Sequence, residues 1–135
     1  MEKASHFEKQ RKALADVTDI FLRQNFGFSP KSIKVLMDHD LVVIRTDNFL
    51  SRAEIKLGQE KRDKKLIHEM YSRLFDRVKA ALVEGIEQIT RRRVISSHIN
   101  INFETELCMM DFFLASKPNK ENMRLALLMM PPEKE

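Results

Sequence analysis

Residues 60–89 read EKRDKKLIHEMYSRLFDRVKAALVEGIEQI. Apolar side chains recur here every three or four residues, which is the spacing of one face of an α-helix. At about 1.5 Å of rise per residue, the predicted helix is roughly 45 Å long. Its apolar positions are Ile67, Met70, Tyr71, Leu74, Phe75, Val78, Ala81, Leu82, Ile86 and Ile89. The charged opposite face is typical of a surface in water, so we expect this helix to cover one side of a core.

A predicted β-hairpin lies on each side of this helix. Residues 33–46 hold two runs with β-branched side chains, separated by the turn formers Asp38-His39-Asp40. After the helix, a strand with Ile95, Ile99, Ile101 and Phe103 on one face leads to a turn around Glu104-Thr105 and a return strand over 107–115. Four strands are therefore expected.

Two further helices precede the long one. Apolar spacing predicts the first from Lys3 to about Gln24, and Gly27 can end it because glycine accepts a positive φ at little cost. Ser51 followed by Glu54 forms a capping box, which predicts a short helix from about Arg52 that Gly58 kinks or ends.

The element order is helix, hairpin, helix, hairpin, which reads as an αββ repeat. We predict an α+β two-layer sandwich with a four-stranded antiparallel sheet and helices on one face, leaving strand order open. Residues 1–116 form the expected single domain. Residues 117–135 are a C-terminal extension in which 123–130 form a short apolar helix that Pro131-Pro132 ends.

The last predicted strand is apolar on both faces. Cys108, Met110, Phe112 and Leu114 lie on one face, and Leu107, Met109 and Phe113 lie on the other. A sheet with helices on one side leaves the second face open to water, so we expect a cover. The C-terminal helix and a second copy of the chain are the two alternatives, and we predict a homodimer. The predicted dimer or tail interface consists of Leu107, Met109, Phe113, Leu127 and Leu128.

Composition excludes several classes of protein. The chain has 135 residues, 43% hydrophobic and 33% charged, with one cysteine and seven Gly and Pro together. It is therefore expected to fold without internal disulfides. No run reaches the roughly 18 to 20 apolar residues of a membrane span, and the first twelve residues lack the apolar core of a signal peptide. We expect a cytoplasmic location, with a peripheral position at the membrane left open.

Polar residues alternate on the third predicted strand, at Ser96, His98, Asn100 and Asn102. This row is the candidate partner-binding or ligand-binding site, and the alternative is an ordinary solvated strand face. Asp38-His39-Asp40 is interpreted as turn chemistry rather than a metal site. Cys108 is interpreted as a buried structural thiol. Without phosphate loops, paired cysteines or a nucleophile motif, we expect no catalytic residue, metal site or cofactor, and therefore no enzyme.

Basic residues define a second candidate surface. The net charge is +4, and Arg91-Arg92-Arg93 follows the long helix. These arginines form the candidate anion or phosphate site, together with lysines near the start of the helix. The alternative is structural, since cations stabilise the C-terminus of a helix. The lysine-rich start comprises Lys56, Lys61, Arg62, Lys64 and Lys65.

Several segments resemble the MpsC-like family, the component C of a bacterial sodium-translocating membrane-potential-generating system. The matching segments are Ser29-Pro30-Lys31-Ser32-Ile33, Asp40-Leu41-Val42-Val43-Ile44-Arg45, Phe49-Leu50-Ser51-Arg52-Ala53-Glu54 with Leu57, and Ile89 to His98. The resemblance covers about residues 14–114. The chain departs from the family at Ser51 (usually Thr), Arg91 (commonly Gly) and Asn100 (commonly Asp).

The resemblance implies an accessory role beside a membrane sodium-transport or ion-transport system. We therefore predict a non-enzymatic interaction or regulatory module that contacts a membrane transport-system protein. The alternative is a small nucleic-acid-binding regulator that uses the basic ends of the long helix. The salt dependence of binding distinguishes these two functions, because phosphate binding weakens steeply with salt whereas an apolar protein interface does not.

Overall fold

The computed structural model describes residues 2–116 and has an α+β fold in which helices pack on one face of a four-stranded antiparallel sheet. This confirms the predicted fold class. The elements are α1 Glu2–Phe26, β1 Ile33–Asp38, β2 Leu41–Thr46, α2 Arg52–Leu57, α3 Lys61–Thr90, β3 Val94–Asn102 and β4 Leu107–Leu114.

The strand order, which the sequence left open, is β1-β2-β4-β3. The two hairpins meet through their second strands, so that Ile44 of β2 pairs with Met110 of β4. Each half of the chain therefore contributes a helix and a hairpin, and the halves are arranged symmetrically about the β2–β4 contact. This order agrees with the αββ repeat.

The core lies between the sheet and the two long helices. Phe75 of α3 packs on Phe112 of β4 with 6.2 Å between ring centroids, and Phe21 of α1 meets Phe75 edge to face at 6.5 Å. Leu14 and Ile86 are also fully buried. At about 25 cal/mol for each Å² of apolar surface removed from water, this layer is the main source of stability. Within residues 2–116, no helix is long and apolar enough to cross a membrane.

The predicted helix ends are confirmed. Ser51 Oγ accepts from the Glu54 backbone N–H at 3.1 Å, and the Ser51 N–H donates to Glu54 Oε1 at 2.9 Å, which completes the capping box. Gly27, just after α1, has a φ of +64°. Gly58 caps α2 with an ordinary right-handed backbone, and glycine is needed there because a Cβ would overlap the ring of Phe103.

The structure corrects the predicted position of Ile95. Val94 pairs with Leu114 and Ser96 pairs with Phe113, which leaves Ile95 as the extra residue of a β-bulge. Two residues then oppose one, so strict alternation fails at this point. The prediction that Ile95 shares the inner face with Ile99 and Ile101 is therefore wrong, and its side chain is 60% exposed.

Candidate interaction face

The sheet face opposite the helices, called the outer face, is the candidate functional site. Alternation of exposure identifies it: Phe112 and Leu114 of β4 are buried under the helices, whereas Met109 and Phe113 on the same strand are exposed. The register extends this face across all four strands. Its residues are Lys34, Leu36 and Asp38 of β1, Leu41, Val43 and Arg45 of β2, Leu107, Met109, Asp111 and Phe113 of β4, and Ser96, His98, Asn100 and Asn102 of β3.

The centre of the outer face is apolar and open. Phe113 is 42% exposed, Met109 37% and Leu36 51%. Leu41 pairs with Phe113, and Val43 pairs with Leu36, so these side chains form neighbouring rows. The sequence predicted the three apolar residues of β4 on this face. It did not extend this face to β1 and β2, because their position beside β4 depends on the strand order, which the sequence left open.

Two charged side chains of opposite sign stand within this apolar surface. Arg45 Nε and Asp111 Oδ1 are both buried, and neither has a hydrogen-bond partner within the described part of the chain. Arg45 Nε lies 3.6 Å from Asp47 Oδ1, a charge contact longer than a hydrogen bond. A buried polar atom without a partner costs about 1–3 kcal/mol. The sequence signal for both residues is one charge inside an otherwise apolar strand.

By register the polar row predicted from the sequence belongs to the outer face of β3, an edge strand of the sheet, but Asn100 and Asn102 reach around this edge towards α3. His98 pairs across the strands with Asp111. Asn100 Oδ1 is 3.3 Å from His68 Nε2 of α3, and Asn102 Oδ1 accepts from the backbone N–H groups of the β3–β4 turn. Asn102 therefore has a turn-forming role, and Ser96 and His98 border the apolar centre.

The arginines after α3 have separate roles. Arg91 adopts the left-handed conformation that ends the helix, with φ at 59°. Arg92 Nε donates to the Ala115 carbonyl at 2.9 Å, and its Nη1 donates to the His39 carbonyl. This side chain therefore ties the end of α3 to β4 and to the β1–β2 turn. Arg93 is exposed.

A second basic region lies at the opposite end of α3. An open cleft of about 940 Å³ has a basic lining that includes Lys61, Lys65 and His68. Lys64 Nζ stands 5.6 Å above the centroid of the Phe103 ring at its edge. Helical residues 70–90 separate this cleft, which α3 lines as far as Glu69, from the arginines, a distance of about 30 Å at 1.5 Å per residue. The structure therefore does not bring the two basic groups into one site.

The remaining candidates have structural surroundings. Asp38 Oδ1 accepts from the His39 N–H at 2.8 Å in the hairpin turn. Across residues 2–116 there is no group of three or more His, Cys, Asp and Glu placed to hold a metal ion. Cys108 is fully buried, and burial raises the pKa of its thiol to about 12. The predicted helix over 123–130, with Leu127 and Leu128, lies outside the described residues.

Comparison with protein families identifies a match over most of the chain. Residues 8–116 match the model of a family described as Na⁺-translocating membrane potential-generating system (MpsC). Neither the curated proteins nor the solved structures provide a match. The matched range contains every strand of the outer face.

Proposed function

The chain belongs to the MpsC family, and we propose that it is a non-enzymatic accessory module that works by protein contact beside a membrane Na⁺-translocating system. In this proposal the protein is cytoplasmic, peripheral to the membrane and homodimeric. The family description supports the link to the sodium system. The outer face supports the contact role.

The apolar centre of the outer face is the observation that carries the contact role. Exposed Phe113, Met109 and Leu36 lie together on one surface, whereas exposed apolar residues scattered singly need no explanation. Arg45 and Asp111 add buried charged atoms without partners. Apolar and aromatic side chains around a few desolvated charges are typical of protein interfaces.

Capture from native cells tests this proposal. The tagged protein is expressed at its natural level, extracted in mild detergent with and without nuclease, and its partners are identified by mass spectrometry. We expect integral membrane subunits of a sodium-translocating system to be enriched and to survive nuclease. Ile20→Ser on α1, an exposed position off the outer face, is the control variant that should keep these partners. Enrichment of soluble proteins alone would refute the accessory role.

The cleft at the start of α3 favours a second candidate, a nucleic-acid-binding regulator. Three lysines and His68 line it together with the acids Glu69 and Glu104, and Phe103 offers a ring at its edge. Released counterions would make binding to a single-stranded oligonucleotide fall steeply between about 50 and 200 mM salt. Lys61→Ser with Lys65→Ser should then reduce affinity, whereas Arg91→Ser with Arg93→Ser should have little effect. Loss of every captured partner on nuclease treatment would favour this candidate over the accessory role.

A further inference from the structure

The outer face carries matching donors and acceptors for a second copy of itself. Building on the proposed contact role, we propose that it is the homodimer interface and that Arg45 of each protomer binds Asp111 of the partner subunit. The apolar centre formed by Leu36, Val43, Met109 and Phe113 would be buried between the two sheets.

The two charges are complementary, and within the described part of one protomer neither atom is hydrogen-bonded, although Arg45 Nε has a charge contact with Asp47 at 3.6 Å. Arg45 Nε is a donor and Asp111 Oδ1 an acceptor, and no hydrogen bond reaches either atom from the described residues. Both atoms are buried, while the Arg45 side chain as a whole is 39% exposed and can reach a facing molecule. An arginine beside a carboxylate forms strong, charge-assisted hydrogen bonds. A second copy of the chain supplies both missing partners at once.

The sheet register makes the exchange symmetric. Arg45 pairs with Met109, and Val43 pairs with Asp111, on the same two neighbouring strands. The four side chains therefore occupy the corners of a quadrilateral on the outer face, with the two charges at opposite corners. A twofold axis lying between two facing sheets, through the centre of this quadrilateral, places each Arg45 opposite Asp111 of the partner subunit. It brings Val43 and Met109 close to the axis, against their own copies.

This arrangement has the form of an isologous interface, in which residue i contacts residue j and residue j contacts residue i. Sheets also pack face to face in known folds, with interdigitating apolar side chains about 10 Å apart. A different protein would need its own matched pair of charges at this spacing. The second copy needs none beyond those present, and for this reason it is the occupant we propose.

Charge reversal tests the pairing. Arg45→Asp alone places two acids opposite each other, and Asp111→Arg alone places two arginines opposite each other. By sedimentation velocity, the full-length wild type should have twice the 15.9 kDa chain mass, and each variant alone should dissociate roughly a hundredfold or more readily. An equimolar mixture of the two variants should dimerise again, because both contacts become complementary.

Arg77→Asp on α3 and Asp16→Arg on α1 are the controls, since both positions are exposed and lie off the outer face. They should leave the dimer unchanged. A wild type that stays monomeric at micromolar concentrations would overturn the inference and leave the face to residues 117–135 or to another protein. A dimer that tolerates both reversals, or a mixture that stays monomeric, would overturn it as well.

A crosslinking variant keeps the inference testable if a reversed charge prevents folding. Met109→Cys, near the proposed axis and already partly exposed, should form a disulfide-linked dimer under mild oxidation. Ile20→Cys on α1 is the matched control that should form no disulfide-linked dimer, and absence of the Met109→Cys crosslink would contradict the interface. Capture of membrane subunits from cells is a separate measurement from sedimentation and crosslinking. The accessory role can therefore fail while the dimer interface holds, and the reverse.

Discussion

Gly58 shows at the level of a single residue how the α2–α3 junction depends on close contact. Its backbone is right-handed, so alanine is acceptable there conformationally, but the added Cβ would overlap the Phe103 ring. We predict that Gly58→Ala lowers the free energy of unfolding by about 1–3 kcal/mol, the usual range for overpacking. Urea denaturation followed by circular dichroism measures this.

Phe103→Leu is the control for the Gly58 contact. If the ring is the obstacle, Gly58→Ala should cost less in the Phe103→Leu background than in the wild type. A Gly58→Ala protein as stable as the wild type would show that the ring moves aside freely.

The contact between Tyr71 and Glu54 can be tested by removing a single atom, the Tyr71 hydroxyl oxygen. Tyr71 Oη donates to Glu54 Oε2 at 2.6 Å, while the other oxygen of the same carboxylate accepts from Ser51 in the capping box. Tyr71→Phe removes the donor and keeps the ring stacked on Phe26. We expect a loss of about 1.5–3 kcal/mol, the value of a hydrogen bond to a charged group.

A double-mutant cycle with Glu54→Gln separates this bond from other effects. Because the two side chains touch, the double variant should lose less than the sum of the two single losses. Additive losses would mean that the hydroxyl and the carboxylate act independently.

At the level of elements, the β3 bulge separates two isoleucines that the sequence placed on one face. Ile95 is exposed, whereas Ile99 is buried against the core. We predict that Ile95→Ala changes stability by no more than about 0.5 kcal/mol, whereas Ile99→Ala costs about 2–5 kcal/mol. Thermal and urea unfolding of both variants measure this, and equal losses would argue against the bulge.

The sequence predicted the secondary-structure elements more accurately than the sheet face on which each side chain lies. The α3 helix, the capping box at Ser51 and both hairpins follow from local spacing and turn chemistry, which need no knowledge of distant contacts. The bulge at Ile95 has no local signal, because it depends on pairing with β4. Arg45 and Asp111 were missed for the same reason: their strand positions are visible in the sequence, but their shared face appears only with the strand order β1-β2-β4-β3.

For the whole molecule, two groups with raised pKa values predict weaker stability at alkaline pH. Burial raises the pKa of Cys108 from 9.0 to about 12, and burial with the Glu54 hydrogen bond raises the pKa of Tyr71 from its usual 10.0. Above about pH 9 the unfolded chain loses protons that the folded chain retains, so the free energy of unfolding falls as pH rises.

Urea midpoints at pH 8, 9, 10 and 11 measure this alkaline loss. Cys108→Ala should lower stability at every pH. It should nevertheless make the urea midpoint fall less steeply with pH above about pH 9, because the buried thiol no longer titrates. The slope is the decisive quantity, since it is separate from the packing cost of the substitution. A slope unchanged by Cys108→Ala would assign the pH dependence to other groups.

Domain organisation is a property of the whole molecule. The family match covers residues 8–116, and the single domain over 1–116 with its extension over 117–135 stays a prediction. The outer face links the two proposals, because its apolar centre supports the contact role and its charges at Arg45 and Asp111 support the pairing of two copies. Variants that disrupt the homodimer should then also lose the accessory role.

The membrane potential of living cells tests the central claim most directly. Cells lacking this protein are compared in sodium and potassium media with a potential-sensitive dye, after complementation with wild type, Arg45→Asp, or Arg45→Asp with Asp111→Arg. We predict a lower potential in sodium medium without the protein, recovery with the wild type and the double variant, and no recovery with the single variant. A potential that is unchanged when the protein is absent would contradict the account.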